Sequence, residues 1–307
     1  MSKLRTSLIY MISFLLMFAL LSIQGSLFVK AKMLNSSFYK TVLSKSDYYP
    51  LVEKEIEFGF KNLSMVTSIP QEVFSKSVSK EAVKALSYKN IDSTESYMKY
   101  KGEYRESKID RNKIYGSVEK YAQDNNINGE LKSQLTAVAE DAGKIVENHA
   151  ALFSINSVAK YSQFQSFRRA LYVAYKNLFL TVMITGVLIL LLVLMNWQRL
   201  SKVLLWVGSS LIASSLMTII PSILAIYFKI AYKYAIDIPP LKVALRDITL
   251  GYINYFLSTG VLFFLVGIMC MVIYSIVDKR EKARARDRRR KARNSFNQEN
   301  FNNLSTE

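Results

Sequence analysis

The stretch Asn177–Gln198 reads NLFLTVMITGVLILLLVLMNWQ, without a single Asp, Glu, Lys, Arg or His. A helix of roughly 20 residues covers a hydrocarbon core of about 30 Å, so this run is long enough to cross a bilayer. Working outward, Thr6–Val29, Val203–Phe228 and Ile248–Val277 are equally free of charge. A chain folding in water has no reason to keep four such runs. The predicted fold is an all-α membrane protein with four transmembrane helices, and an α-helical extracytoplasmic domain inserted between the first and second. The expected order is a short N-terminus (1–5), helix 1 (6–29), the domain (33–167) and helix 2 (177–198). Helix 3 (203–228), an outer loop with a short interfacial helix (229–247), helix 4 (248–277) and a basic tail with a disordered end (278–307) follow.

Charge sets the orientation. Met33–Phe167 carries 18 Lys/Arg against 17 Asp/Glu, so the net charge of +17 comes from elsewhere. Ten basic residues crowd Lys279–Arg293 beside only Glu281 and Asp287. Lys3 and Arg5, Arg199 and Lys202, and this tail all fall on one side if every run crosses, and basic residues accumulate on the cytoplasmic side. The connection Lys229–Asp247 dissents with four basic residues against two acids, but the tail outweighs it. Both termini are therefore expected in the cytoplasm of a cell with a plasma membrane. Met1–Leu21 also has the form of a signal peptide, with Ile23 and Gly25 as a weak cleavage site. The uncharged run continues to Val29, which favours an uncleaved anchor.

The only cysteine, Cys270, lies inside the fourth run, and the only histidine is His149. That pair excludes Cys/His zinc sites and intrachain disulfides, and confines any His-dependent catalysis to His149. No cofactor is expected. The polar block reads as helical throughout. Tyr48-Tyr49-Pro50 after Asp47 starts one helix, with Leu51, Val52, Ile56, Phe60 and Leu63 on its apolar face. Ile69-Pro70-Gln71 and Ser79-Lys80-Glu81 start two more, and Asn128-Gly129 signals a turn. Leu131, Leu135, Val138, Ala142, Ile145 and His149 then share a face, which makes His149 a structural histidine. From Ser157 the phase runs on into the second span, predicting one continuous helix. Glu53, Glu55 and Glu57 scatter around a helix rather than forming a catalytic pair. Tyr97, Tyr100 and Tyr104 would line one helix side, either packed in a core or as a partner surface.

With no ionisable group inside the four runs, proton relays and ion-coupled transport are disfavoured. Ser210, Ser214, Thr218 and Ser222 repeat every four residues along the third run, a spacing that makes a helix-packing seam against span two or four. The same row would serve a homo-oligomer seam or a polar conduction path. Asn254 could join that seam, and Pro221 predicts a kink. The tail residues Lys279, Arg280, Lys282, Arg284, Arg286, Arg288, Arg289, Arg290, Lys291 and Arg293 suit an anionic inner leaflet, at roughly 1 kcal/mol per basic residue near its surface. No aromatic residue interrupts them to stack on bases, which disfavours nucleic acid.

Leu34-Asn35-Ser36-Ser37-Phe38-Tyr39, Asp47-Tyr48-Tyr49 and Ile69-Pro70-Gln71-Glu72-Val73-Phe74, all soon after the first run, resemble a family of multi-pass membrane proteins of AT-rich Gram-positive bacteria. That resemblance covers the first 80 residues and the layout of the runs. It implies a bacterial cell membrane and carries no activity. One span, a large outer domain and three spans are also similar to the layout of FtsX/MacB-type permease subunits, whose outer domains mix strands with helices. Together these features predict a non-enzymatic membrane protein whose outer domain engages an envelope protein or ligand. The competing expectation is a transport component, either a permease beside a separate ATPase or a small pore.

Overall fold

The computed structural model describes residues 3–127, 130–151 and 154–304, with side chains described for 4–127, 134–151, 154–284 and 286–287. The expected turn at Asn128-Gly129 lies outside these residues, as does the side chain of Leu131. The described residues are helical with no strand. In chain order the helices are α1 (Lys3–Phe28), α2 (Ser36–Lys45), α3 (Tyr48–Thr67), α4 (Gln71–Ser77), α5 (Lys80–Met98) and α6 (Asn112–Asp124). They continue with α7 (Glu130–Ala150), α8 (Ser162–Lys176), α9 (Leu178–Met195), α10 (Ser201–Tyr227) and α11 (Pro239–Leu304). Four segments are long and apolar enough to cross a membrane: Leu4–Met33, Leu178–Met195, Ser201–Tyr227 and Pro239–Arg284. They suggest a membrane protein.

The chain divides into two compact units: a bundle unit of Met1–Gly25, Leu178–Ile223 and Phe256–Glu307, and a domain unit of Ser26–Asn177 and Leu224–Tyr255. In the bundle unit, Ile9, Ile12, Leu16 and Leu20 form one buried stripe of α1 against Leu192, Val203 and Leu211. Elsewhere its helices are apolar yet exposed, with Phe179 at 73% and Leu262 at 59%. Side chains of that kind call for an apolar solvent rather than water.

In the domain unit, Val52, Ile56 and Phe60 of α3 meet Ile114 and Val118 of α6 and the inner face of α7 in one core. Ser79 caps α5, its hydroxyl accepting the Ala82 N–H at 3.2 Å, and the Asn35 side chain accepts the Ser37 N–H at 3.0 Å to open α2. Such caps are each worth about 1 kcal/mol. On α7 the buried positions are Leu135, Ala139, Ala142, Val146 and Ala150, with Val138 and Ile145 at the margin. The face is therefore shifted from the expected one, because alanines rather than the bulkier residues point inward. Small side chains let α3 come close: a Cβ on Gly59 would stand 2.6 Å from Cγ2 of Ile145.

Three expectations about helix continuity need correction. The run from Ser157 is not one helix into span two. Residues 156–161 form turns, α8 starts at Ser162, and Asn177 separates α8 from α9 with its N–H on the Val173 carbonyl. Asparagine competes poorly for helical geometry, which suits a break there. Among the described residues the only separate helix between α10 and α11 is one 3-10 turn, Ile230–Tyr232, and the residues expected to form an interfacial helix belong to α11, which begins at Pro239 and runs on through the fourth apolar run. Pro239-Pro240 starts the helix instead of interrupting it, as proline does in a first turn. The tail end expected to be disordered is helical to Leu304, with neither Gly nor Pro after Gly267 to stop it. Pro221 lies inside an unbroken α10.

Candidate functional site

Within the domain unit a cavity of about 500 Å³ opens beside the C-terminal end of α7. Tyr48 and Glu55, two turns apart on α3, form one wall, and Asn148, His149 and Ala151 form a second. The connection Asp237-Ile238-Pro239-Pro240-Leu241 forms a third. Each position has a local cause. Tyr48 is the first residue of α3 and is buried at 1% exposure. His149 follows the inward-facing Val146 and precedes the inward-facing Ala150, so it emerges at the edge of the core. Pro239 and Pro240 stiffen the connection just where it meets the cavity.

Burial pushes the His149 imidazole below its ordinary range, and the nearby Glu55 carboxylate only partly opposes this. Burial also pushes the Tyr48 phenol up. Near neutral pH the lining then offers a neutral imidazole and a neutral phenol, beside the acidic side chains of Glu55 and Asp237. That arrangement favours a group carrying positive charge or hydrogen-bond donors. Among the described residues no group of three His, Cys, Asp or Glu could hold a metal ion.

Glu53, Glu55 and Glu57 part company. Glu53 accepts from Lys80 at 2.6 Å, Glu55 lines the cavity, and the Glu57 carbonyl accepts from Gln71. Tyr97, Tyr100 and Tyr104 do not share a helix face, because α5 ends at Met98. Tyr100 takes a left-handed conformation (φ 55°), and the Lys101 N–H reaches back to the Ser96 carbonyl at 2.9 Å. These bonds make the helix-ending Schellman motif. Tyr97 and Tyr100 instead clasp Arg168 of α8, whose guanidinium carbon lies 3.6 and 3.7 Å from their ring centres. Arg168 also donates to the Tyr97 carbonyl at 3.0 Å.

In the bundle unit Ser210, Ser214, Thr218 and Ser222 are all buried on α10. The Ser210 hydroxyl donates to the Ser13 carbonyl of α1 at 2.8 Å, and the Thr218 hydroxyl lies 3.1 Å from Gln24 Oε1. Ser214 and Ser222 bond carbonyls of their own helix. Hydroxyls of the row thus reach span one, which the sequence reading did not place there, as well as approaching span four. On the span-four side, a Cβ on Gly267 would meet the Gly208 carbonyl at 3.0 Å, and one on Gly260 would meet Thr218 Oγ1 at 2.7 Å. Asn254 is exposed and belongs to the other unit. Lys279, Arg280, Lys282, Arg284 and Arg286 are exposed on α11, and the side chains of Arg288, Arg289, Arg290, Lys291 and Arg293 lie outside those described.

Sequence reasoning missed Gln24, which is fully buried and accepts the Thr218 hydroxyl. Its signal was available as the one carboxamide in the first charge-free run. It also missed Phe58, Met65 and Val66, exposed at 61, 67 and 85% on the outer side of α3. Their signal was an apolar residue out of phase with the buried stripe. Comparison with known protein families, curated proteins and solved structures finds no match. The class defined is an all-helical protein with four helices able to span a membrane.

Proposed function

We propose that this is a non-enzymatic integral protein of the cell membrane whose domain unit lies outside the cell and engages an envelope protein or ligand. Both termini lie in the cytoplasm, and the basic tail rests against the anionic inner leaflet. The observation that carries this reading is the cavity at His149, whose size falls within the roughly 300–1,000 Å³ usual for ligand sites. Its two acidic side chains suit a cationic side chain or a free amine from the partner. The exposed Phe58, Met65 and Val66 supply apolar contact area on the same unit.

The transport reading draws on one observation, the buried polar series of Ser13, Gln24, Ser210 and Thr218 within the bundle unit. A photoreactive amino acid at Asn148, followed by mass spectrometry of the adduct, separates the two. Capture of an envelope protein or an extracellular peptide is the expected result. Capture of nothing there, with a cytoplasmic ATPase recovered from the tail, would favour the permease reading.

A further inference from the structure

A second apolar cluster lies apart from the main core of the domain unit, with Val29, Leu34 and Met98 at its centre. Beside it is a cavity of about 160 Å³ whose wall includes Leu34, Ile91, Met98, Phe164 and Leu171. We propose, taking the membrane placement above as given, that this cavity receives the end of a hydrocarbon chain from a membrane lipid.

The chemistry of the wall selects such a guest. Eight of the eleven lining residues are apolar, and the other three, Tyr39, Thr94 and Glu95, are engaged within the protein. The Tyr39 hydroxyl donates to the Met33 carbonyl at 2.9 Å and meets the Tyr252 hydroxyl at 2.7 Å. The Glu95 carboxylate accepts from the Lys99 ammonium and, at 3.2 Å, from the Ser36 N–H. A polar guest would have to break one of these pairs, whereas a hydrocarbon chain leaves them intact and escapes water. The cavity is smaller than the roughly 300 Å³ at which sites for whole ligands begin. An apolar cavity of about 150 Å³, however, stays dry and takes up hydrocarbon groups.

Its position supplies the source of the chain. Met33, in the lining, is the last residue of the first apolar segment, Leu4–Met33. That segment ends in a π-turn, with the Leu34 N–H on the Val29 carbonyl at 2.8 Å, a widened geometry frequent at functional sites. Leu171 precedes the second apolar run by about two turns of chain. Through Tyr252, Tyr39 joins a ring cluster in which Phe28 lies 5.0 Å and Phe38 5.6 Å from the Tyr252 ring. Aromatic rings gather where a bilayer meets water, so this wall stands at the level from which lipid chains start. Phe167, half-exposed in the lining, marks the open side.

The test uses the full chain in nanodiscs of phosphatidylcholine, part of it carrying a diazirine at the end of one acyl chain. After irradiation, peptide mass spectrometry should find adducts on Ile91, Met98 or Phe164 as well as on the apolar runs. Ile155→Trp and Leu171→Trp fill the cavity and should each lower the lining adducts about tenfold, equivalent to lost room for roughly two methylenes. Adducts on α9 should stay unchanged in both. Met98→Ala enlarges the cavity and should keep or raise the adduct on Phe164. Adducts on the runs with none in the lining overturn the proposal and leave the membrane placement standing. Adducts on neither overturn both. Equal lining adducts in wild type and the two Trp variants also overturn it, as does lining label from a diazirine at the headgroup instead of the chain end. Lining label from a diazirine fatty acid but not from the phospholipid overturns the membrane lipid as the source.

Discussion

At the residue scale, bulk and chemistry can be separated on α10. Ser214 is fully buried, and its hydroxyl bonds the Leu211 carbonyl of its own helix at 3.0 Å. Ser214→Ala should therefore cost no more than about 0.6 kcal/mol, the average for an interhelical hydrogen bond in a membrane. Ser214→Leu must push a neighbouring helix away and should lower the thermal midpoint in detergent far more. Equal midpoints for the two variants would rule out a packing seam, whereas a conduction path predicts a change in flux for both. His149 makes a pH prediction of defined sign. Burial holds its folded value below the ordinary value of about 6.5, so above that pH neither state binds the proton. As pH falls through about 6.5 the unfolded chain gains the proton first, and stability drops until the depressed folded value is passed. His149→Gln should flatten that decline in thermal melts taken between neutral and mildly acid pH, while an unchanged slope would remove His149 as its source.

At the element scale, the approach of α3 to α7 is the tightest test of the domain unit. Gly59→Ala gains about 1 kcal/mol of helix propensity, but its methyl has to displace Ile145, at a cost of roughly 1–3 kcal/mol. Steric cost should win, giving a lower midpoint, and in an Ile145→Ala background, which removes that Cγ2, the Gly59→Ala penalty should largely vanish. Additive effects of the two changes would show that the helices are not in that contact. This pairing also shows what could be read in advance. Long charge-free runs and the starts of α3, α4 and α5 were legible because absence of charge, proline and Ser79 act locally. The inward face of α7 was not, since burial of Ala139 and Ala150 is decided by how close a second helix comes. Tyr97 and Tyr100 were misread as a stripe for a similar reason: the αL turn at Tyr100 ends the helix, and Arg168 lies far along the chain. The cavity draws on residues 48, 55, 148–151 and 237–241, a set no local pattern brings together.

At the scale of the whole molecule, the proposed topology has a direct readout. In a Cys270→Ser background, Asn62→Cys on α3 and Arg286→Cys on α11 both place a thiol at an exposed position. A reagent that cannot cross membranes should label the first and not the second in intact cells, and the opposite pattern would invert the topology. The native thiol has a different use. Cys270 stands at a close approach of α10 and α11, its Cβ 3.1 Å from where a side chain on Gly208 would begin. Nature has thus left this chain with a single reactive sulfur at a helix crossing. In a wild-type background, its rate of alkylation by a membrane-permeant maleimide becomes a clock for breathing of that crossing, readable without introducing any probe.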